Sequence, residues 1–449
     1  MKTMTEGNPF KLILIFSIPL LLGNLFQQAY NLVDTAIVGK ILGDQALASV
    51  GVSSSVQFLV LGFCSGCSIG FSIPVATKFG AKDLDEMKKY VYTGGVLTAI
   101  IAAIITLITC LLCGYILNIL KTPSEIYTNA YLYLFTIFCG LPFTLLYNYL
   151  SSILRAIGDS KTPFIFLAFS AILNICLDLF FIINLKLGCF GAALATIIAQ
   201  GVSALLCFIY IAMKVDILHP LKGNCILTKD RIKHSLNIGL PMGFQMSITA
   251  IGSMVMQMSN NSLGTIYVSA YAAGLKIKQF FMCVYDSIAT AVSTYVSQNY
   301  GALKYERIKD GIKVGFIITT VYSVLAMLAM IFMSRKLSML FLDVNASQTL
   351  DASAKYLRSI GYFYIVLGFL IVSRQAIQGL GWSKKAVFAG VVEMLARTLV
   401  CVILTPILSF SAICMADQTA WISGALYLLP VLYYCMKHIK VDIENRLNN

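Results

Sequence analysis

Charged residues are scarce in this sequence. Asp, Glu, Lys and Arg make up only 12% of its 449 residues, whereas soluble domains carry about one charged residue in four. Hydrophobic residues make up 58%, and the mean hydropathy is +0.82. This composition excludes a soluble globular protein and indicates a polytopic membrane protein. Since a spanning helix needs about 20 apolar residues, the length allows about a dozen spans and no large soluble domain.

Histidines and phosphate-binding loops are missing from the apolar segments. The three histidines, His219, His234 and His438, lie outside the predicted spans or, for His234, at the first residue of one, and no H-E-x-x-H zinc motif occurs. No G-x-x-x-x-G-K loop occurs either, so the chain has no motor for ATP-driven transport. We therefore expect a protein that is not an enzyme and uses no cofactor.

The thirteen cysteines include two C-x-x-C pairs, Cys64 with Cys67 and Cys110 with Cys113. Both pairs lie inside apolar predicted helices without a histidine nearby, and 42 residues separate them. We interpret them as buried thiols, which behave as small hydrophobic side chains, rather than as a zinc or redox site. No metal is expected apart from Na⁺ as a coupling ion.

Hydrophobic runs separated by short polar segments predict twelve helices. They span residues 10–39, 47–78, 89–118, 127–154, 162–185, 190–214, 234–263, 268–298, 311–334, 353–379, 386–410 and 413–436. The first run is too long for a signal-peptide core and has no small-residue cleavage site, so we expect it to be retained.

Basic residues are distributed unequally between the two sets of loops. The termini and the loops after even-numbered spans carry 22 Lys and Arg residues, Lys2 and Lys222 among them, whereas the opposite loops carry seven, including Lys121. By the positive-inside rule the richer side is cytoplasmic. We therefore expect a multi-pass protein of the plasma membrane with both termini in the cytoplasm. Topology accounts for the net charge of +13, so a nucleic-acid partner is not expected.

The sequence also repeats itself. Three segments recur at offsets of 222, 221 and 223 residues: Ile18-Pro19 as Leu240-Pro241, Phe79-Gly80-Ala81 as Tyr300-Gly301-Ala302, and Gly158-Asp159-Ser160-Lys161 as Gly381-Trp382-Ser383-Lys384. One frame that fits three separated segments indicates a duplicated six-helix unit.

The repeat predicts the architecture. We expect an all-α polytopic membrane protein with twelve transmembrane helices in two parallel-repeat six-helix lobes. The N-lobe is expected over residues 1–214, a cytoplasmic linker over 215–233 and the C-lobe over 234–449. Two such lobes are typical of secondary transporters, which bind substrate between the lobes and work by alternating access.

Eight ionisable residues are assigned to the interior of the predicted spans, where a charge costs about 2.5–3.5 kcal/mol on insertion scales. They are Asp34, Asp178, Lys276, Lys278, Asp286, Arg374, Glu393 and Arg397, and all other acids are assigned to loops or helix ends. Because Glu393 and Arg397 are four positions apart with the acid first, we predict a structural ion pair between them. Asp286 is too far along its helix to touch Lys278, so it either pairs with Arg374 or lines a cavity.

Asp34 and Asp178 are different, because they have no basic partner in the interior of their lobe's spans. Asn174 is one helical turn before Asp178 and shares its face, and Thr196 adds a hydroxyl from the sixth span. Such oxygens suit a proton or a hard monovalent cation. A buried carboxylate without a cationic partner can take up and release protons. We predict that these four residues bind the coupling ion, H⁺ or Na⁺.

Two prolines and a group of methionines complete the candidates. Pro19 and Pro241 each remove a helical hydrogen bond, so we expect kinks in the first and seventh spans, which are either static or hinges. Five methionines of the seventh span either form an adaptable surface for apolar ligands or face lipid. The candidates for the lining of a C-lobe cavity are Gln245, Met246, Asp286 and Arg374.

Four segments carry a family resemblance. They are Tyr30-Asn31-Leu32-Val33-Asp34, Leu154-Arg155-Ala156-Ile157-Gly158-Asp159-Ser160-Lys161-Thr162-Pro163, Leu173-Asn174-Ile175-Cys176-Leu177-Asp178 and Gln298-Asn299-Tyr300-Gly301-Ala302. Together they resemble conserved segments of MATE transporters, the multidrug and toxic compound extrusion family, over nearly the whole chain. The resemblance implies a twelve-helix, two-lobe fold that exports cationic, often aromatic compounds in exchange for protons or sodium.

The resemblance also implies which residues couple transport to the ion. The positions that match the family's N-lobe cation site are Asp34, Asn174, Asp178 and Thr196. In one branch of the family the C-lobe supplies acids on the seventh and tenth helices. This chain has no acid on the seventh span and Arg374 on the tenth, so a C-lobe ion site of that type is not expected.

Three functions compete. The first is an ion-coupled efflux antiporter, which we favour, and the second is a flippase for a lipid-linked precursor, from the same superfamily. A flippase for an anionic pyrophosphate-linked lipid needs basic residues at its cavity, which Lys276, Lys278, Arg374 and Arg397 could supply. The third is an intramembrane enzyme, against which the missing motifs argue. The expected partners are small organic cations and the lipid bilayer, and the expected state is a monomer.

Overall fold

The computed structural model describes residues 3–120, 122–219 and 225–448. Lys2, Lys121 and Lys222, which entered the topology prediction, lie outside the described residues, as does the 220–224 part of the expected linker. Over the described ranges the chain forms helices and no strand, which confirms the all-α fold.

The first half of the chain contains seven α-helices. They are α1 (Pro9–Ile37), α2 (Asp44–Gly80), α3 (Leu84–Ile119), α4 (Ser124–Cys139), α5 (Leu141–Ala156), α6 (Lys161–Leu179) and α7 (Gly188–Lys214). Eight more follow in the second half: α8 (Lys229–Asn261), α9 (Thr265–Gly301), α10 (Tyr305–Ser338), α11 (Ser347–Gly361), α12 (Tyr364–Gly379), α13 (Ser383–Leu399), α14 (Thr405–Leu408) and α15 (Phe410–Asn448).

The twelve predicted spans all appear in the described part of the chain. Nine helices there are long and apolar enough to cross a membrane, and eleven spans result when each of two bent pairs counts as one. The bent pairs are α4 with α5, at 44°, and α11 with α12, at 55°. The remaining span is α9, which is 37 residues long but carries three of the charged residues noted above, Lys276, Lys278 and Asp286.

The structure repeats at the same offset as the sequence. Positive backbone φ angles recur in pairs at Gly43 and Gly264, Lys82 and Leu303, and Gly158 and Gly381. Residues other than glycine rarely adopt this conformation, so its recurrence at Lys82 and Leu303 is specific. π-Helical turns also recur, at Phe180–Asn184 after α6 and at Val400–Leu404 after α13. The equivalent positions therefore share their local geometry as well as their residues.

Side-chain caps fix where some of the helices begin. Asp83 precedes α3, and its carboxylate accepts a hydrogen bond from the Glu86 N–H at 3.2 Å. Asp159 lies two residues before the start of α6 and accepts from the Thr162 N–H at 3.0 Å and from the Thr162 hydroxyl at 2.7 Å. These carboxylates satisfy N–H groups that lack a partner in the first helical turn.

The chain divides into two compact units. Unit 1 consists mainly of Leu22–Gly243, and unit 2 consists of Met4–Leu21 with Phe244–Asn449. As a result α1 and α8 each begin in one unit and end in the other. The boundaries fall two residues after Pro19 and two residues after Pro241. The lobes expected from the sequence differ from these units in the two shared helices, so the lobe boundaries stay a prediction.

Each unit is built around one long helix of the repeat. In unit 1, α2 packs against α3, α4 and α5, and in unit 2 its counterpart α9 packs against α10, α11 and α12. Residues Ala291–Asn299 of α9 are all buried. The ionisable groups lie on helices that pack within these units, which decides which partners they can reach.

Candidate functional site

Unit 1 brings together Asp34 and Asp178, the two acidic residues assigned to the interior of the N-terminal spans. Asp34 lies in the last turns of α1 and Asp178 lies next to the end of α6, and their carboxyl groups are neighbours. Asp178 is fully buried, and Asn174, one turn earlier on α6, is 2% exposed. Asn174 also lines a small cavity together with Thr196 of α7. The structure therefore places all four residues of the predicted coupling-ion site in one region of unit 1.

The polar atoms of this region are left without partners. Both carboxylate oxygens of Asp178, both amide atoms of Asn174 and Oδ1 of Asp34 are buried and accept or donate no hydrogen bond within the described residues. Leaving a buried polar group unsatisfied costs about 1–3 kcal/mol. Such a group therefore marks a place where a proton, an ion or an ordered water belongs. The donor set consists of oxygens, which fits H⁺ or Na⁺.

Thr196 keeps a free acceptor position for the same cavity. Its hydroxyl donates to the Ala192 carbonyl one turn back, at 3.1 Å, so a lone pair on Oγ1 remains available for a cation or a donor. The Thr196 side chain can therefore act as a neutral oxygen ligand beside the charged ones.

The sequence analysis did not identify two further polar residues that line this cavity. Tyr30 and Gln200 line it, and Oε1 of Gln200 is buried without a partner in the described chain. Both residues carried a signal, since Tyr30 is one helical turn before Asp34 and Gln200 is one turn after Thr196. Neither residue is charged at neutral pH, and the sequence alone does not show that α1 and α7 bring them to the same cavity.

In unit 2 the predicted pair of Glu393 with Arg397 is wrong. Glu393 instead forms a salt bridge with Arg374 of α12. Arg397 forms one with Asp417 of α15, at 3.0 Å between Nη2 and Oδ1. Both residues of α13 are buried and face neighbouring helices. Each residue therefore pairs with a residue on another helix, so the four-residue spacing along α13 did not determine the ion pairs.

Asp417 is a buried ion-pair residue that the sequence analysis did not single out. Its carboxylate accepts hydrogen bonds from Lys278 at 2.5 Å and from the Tyr356 hydroxyl at 3.0 Å, besides its bond to Arg397. It is 1% exposed. Asp417 had been placed at the end of a span that was expected to begin at residue 413. Because α15 begins at Phe410, Asp417 lies two turns inside the helix.

The buried ion pairs of unit 2 offer a direct test of this correction. Glu393→Gln is expected to destabilise the protein by about 3–5 kcal/mol, because it strands Arg374 as an unpaired charge. Adding Arg374→Gln should restore part of the loss, whereas adding Arg397→Gln should deepen it, since that change breaks the bond to Asp417. Thermal unfolding of the purified variants measures both. Equal rescue by either second substitution would contradict the pairing.

The candidates for a cavity in unit 2 have different environments. Gln245 of α8 is buried and accepts a hydrogen bond from Gln378 of α12, while Met246 is partly exposed. Asp286 is exposed, and the Arg374 side chain that was considered as its partner pairs with Glu393 instead. Asp286 therefore forms no salt bridge with Arg374 in the described chain, and its position at a cavity stays a prediction.

Comparison with protein-family models identifies a single family twice in the chain. The MatE model matches residues 19–180 and again residues 241–403. The two matches begin at Pro19 and Pro241, the positions that the internal repeat relates to each other. They fall one in each half of the duplicated fold.

Curated relatives carry names that describe drug resistance or export. A probable multidrug resistance protein of Bacillus subtilis (strain 168), YpnP, is 32% identical over 317 residues, which are 68% of this chain and 68% of that protein. The multidrug export protein MepA of Staphylococcus aureus (strain N315) is 22% identical over 444 residues, 97% of this chain and 96% of MepA.

Solved structures share the fold. A multidrug resistance MATE family transporter of the MOP superfamily, in an outward-facing conformation, superposes with a TM-score of 0.92 at 21% identity and covers 98% of this chain and 100% of its own. A crystal structure of MATE in the bent conformation superposes with a TM-score of 0.88 at 21% identity, covering 97% of this chain and 98% of its own. Both similarities confirm the fold over 97–98% of this chain.

Proposed function

Since this chain belongs to the MatE family, we propose that it is a secondary active multidrug efflux antiporter. In this proposal it exports cationic and amphipathic organic compounds in exchange for H⁺ or Na⁺, by alternating access of its two lobes. It catalyses no chemical reaction and needs no cofactor beyond the coupling ion. It works as a monomer in the plasma membrane, with small organic cations as its substrates.

The observation that carries the proposal is the group of unpartnered buried oxygens in unit 1. Asp34 and Asp178 are adjacent, and no Lys or Arg forms a salt bridge with either of them in the described chain. Two neighbouring carboxylates repel each other strongly where the dielectric constant is low. A proton between them, or a bound Na⁺ that Asn174 and Thr196 also contact, would remove that repulsion.

Ion binding at this group can drive export because it favours one conformation over another. A ligand shifts a conformational equilibrium only by the difference between its affinities for the two states. An ion that neutralises Asp34 and Asp178 changes the hydrogen bonds available to Asn174 and Tyr30, which line the same cavity. In the proposed cycle this change alters the conformation of unit 1 and releases the substrate.

For unit 2 we propose a role in substrate binding. Asp286 presents an exposed carboxylate on α9 that forms no salt bridge with the basic residues of the described chain. A carboxylate of this kind attracts an organic cation, and Gln245, Met246 and Arg374 supply polar and adaptable side chains in the same unit. We also propose that α1 and α8 bend at Pro19 and Pro241, the prolines inside these helices, and that the bends act as hinges.

The pairing of the basic residues argues against the flippase alternative. Lys278 and Arg397 are bound to Asp417, and Arg374 is bound to Glu393. Of the four basic residues that could hold a pyrophosphate group, only Lys276 is exposed. A lipid pyrophosphate would have to displace buried carboxylates from their partners.

Ethidium uptake into everted membrane vesicles tests the proposed function. A proton gradient alone or a sodium gradient alone is imposed, and one of the two should drive ethidium into vesicles that contain the protein. Vesicles without the protein are the control. Uptake that needs neither gradient, or no uptake under either, would contradict antiport.

The proposed orientation can be tested on a single cysteine. Cys225 is exposed in the segment between α7 and α8, which the distribution of basic residues assigns to the cytoplasm. It should resist an impermeant maleimide added to intact cells and react in everted vesicles, with Cys225→Ser as the control. Labelling of intact cells would reverse the orientation.

A further inference from the structure

The segment that precedes α1 is held tightly by the turn between α9 and α10. The Met4 N–H donates to Oε1 of Gln298 at 2.8 Å, and the Met4 carbonyl accepts from the Asn299 amide at 3.1 Å. Lys304 donates to the Thr5 carbonyl at 2.9 Å. Met4 and Thr5 are each only 3% exposed. This segment is therefore packed into unit 2 and not merely resting on its surface.

Arg307 is the centre of this contact. Its guanidinium donates to the Gly7 carbonyl at 2.9 Å, to the Met4 carbonyl at 3.2 Å and to Oδ1 of Asn299 at 3.0 Å. The fixed fork of donors in an arginine suits several acceptors at once. Every acceptor on the N-terminal segment is a backbone carbonyl, so these hydrogen bonds follow the path of the chain, while the buried Met4 side chain adds an apolar contact with the core of unit 2.

The equivalent turn of unit 1, between α2 and α3, holds the start of α8. Glu86 of α3 lies 3.5 Å from Nε of Arg231, in the first turn of α8, and Tyr90 packs edge-on against His234, with ring centroids 5.8 Å apart. Ile232, Leu236 and Leu240 of α8 pack against the buried cluster of unit 1 that includes Phe71 and Val75.

The two contacts are related by the internal repeat. Arg307 and Glu86 are 221 residues apart, the offset that also relates Leu303 to Lys82 in the two turns. In one turn this position is basic and binds carbonyl groups, and in the other it is acidic and binds Arg231. Arg307 and Glu86 thus use different hydrogen-bonding groups, but each attaches the start of a helix to the equivalent turn of its unit.

We propose that the α9–α10 turn is an anchor site for residues 4–7 of the same chain. This anchor attaches the first half of α1 to unit 2, and the α2–α3 contact attaches the first half of α8 to unit 1. The second half of each helix belongs to the other unit. This inference rests on the proposed transport cycle, in which the lobes move. If both ends of α1 and α8 are held, each helix has to bend where it changes units, two residues after its proline. The anchors then set the position of the hinge.

The proposal is tested with the double variant Arg307→Gln and Asn299→Ala. Hydrogen–deuterium exchange should become faster over residues 10–17 of α1, whereas exchange over residues 22–37 should not change. The rate of ethidium transport should fall about tenfold, the factor that ~1.4 kcal/mol of barrier produces. The dissociation constant of the double variant for ethidium should equal that of the wild type. Arg231→Gln should have the corresponding effect on residues 232–240 of α8.

Lys309→Gln is the matched control, because Lys309 is exposed on the first turns of α10 and pairs only at the surface, with Glu306 at 3.6 Å. It should alter neither exchange nor transport. Unchanged exchange over residues 10–17 in the double variant would overturn the anchor itself. Faster exchange with transport at the wild-type rate would overturn its role in the cycle. If the wild type moves no ethidium under any ion gradient, the proposed function fails, and the exchange experiment still decides whether the anchor exists.

Discussion

Asp34→Asn is expected to abolish ion-coupled export while the protein reaches the membrane at its normal level. Asparagine matches the size of aspartate but carries no charge, so it can neither exchange a proton nor attract Na⁺. Asp34 has no salt-bridge partner within the described chain that the substitution would strand. Ethidium uptake into everted vesicles should therefore fall to the rate of protein-free vesicles under either ion gradient.

The same reasoning ranks the neighbouring residues. Asp178→Asn should abolish coupling as Asp34→Asn does, whereas Asn174→Ala should be milder because it removes only an uncharged dipole. Asp310→Asn is the control, since Asp310 is exposed on α10 and plays no part in the proposed site. Wild-type uptake by Asp34→Asn under an imposed gradient would show that this group does not couple transport, and Asp286 would become the next candidate.

Asp417→Asn is expected to have the largest effect on stability. One carboxylate binds Lys278 and Arg397, and the substitution leaves two buried cations without their partner. Breaking a buried pair in this way costs about 3–5 kcal/mol. The midpoint of thermal unfolding of the purified protein should drop accordingly, and the amount of protein in the membrane should fall. Adding Lys278→Met should recover part of the loss, because it removes one of the stranded charges.

Asp351→Asn is a matched control for this prediction. Asp351 also bonds to an arginine, Arg335, at 2.9 Å, but both side chains are about half exposed. Exposed pairs contribute at most about 1 kcal/mol, so this variant should unfold close to the wild type. If Asp417→Asn were as stable as Asp351→Asn, the bonds around Asp417 would not be structural.

The fold could be predicted from the sequence because membrane helices and internal repeats leave strong local signals. Each span needs a long apolar run, and the positions around Pro19 and Pro241 recur in a single frame. The shared helices were harder to foresee. That Met4–Leu21 belongs with the second half of the chain depends on contacts with residues such as Gln298 and Arg307, which lie about 300 positions away.

The candidate site shows the same division between local and distant information. The proximity of Asn174 to Asp178 follows from helical periodicity, and the lack of a basic partner in the interior of the N-terminal spans was sufficient to single out Asp34. The spacing along α13 suggested a pair between Glu393 and Arg397. Their actual partners lie on α12 and α15, which tertiary packing brings next to α13. Periodicity cannot show which helices pack together.

Counter-transport in proteoliposomes tests the central claim most directly. Ethidium is placed on one side of liposomes that contain purified protein, without any imposed ion gradient, and the internal pH and the internal sodium concentration are recorded with fluorescent indicators. The account predicts that the movement of ethidium drives one of these two ions in the opposite direction in the wild type, and that neither ion moves in Asp34→Asn or Asp178→Asn. Ethidium flux without counter-movement of protons or sodium in the wild type, or the same counter-movement in Asp34→Asn, would contradict it.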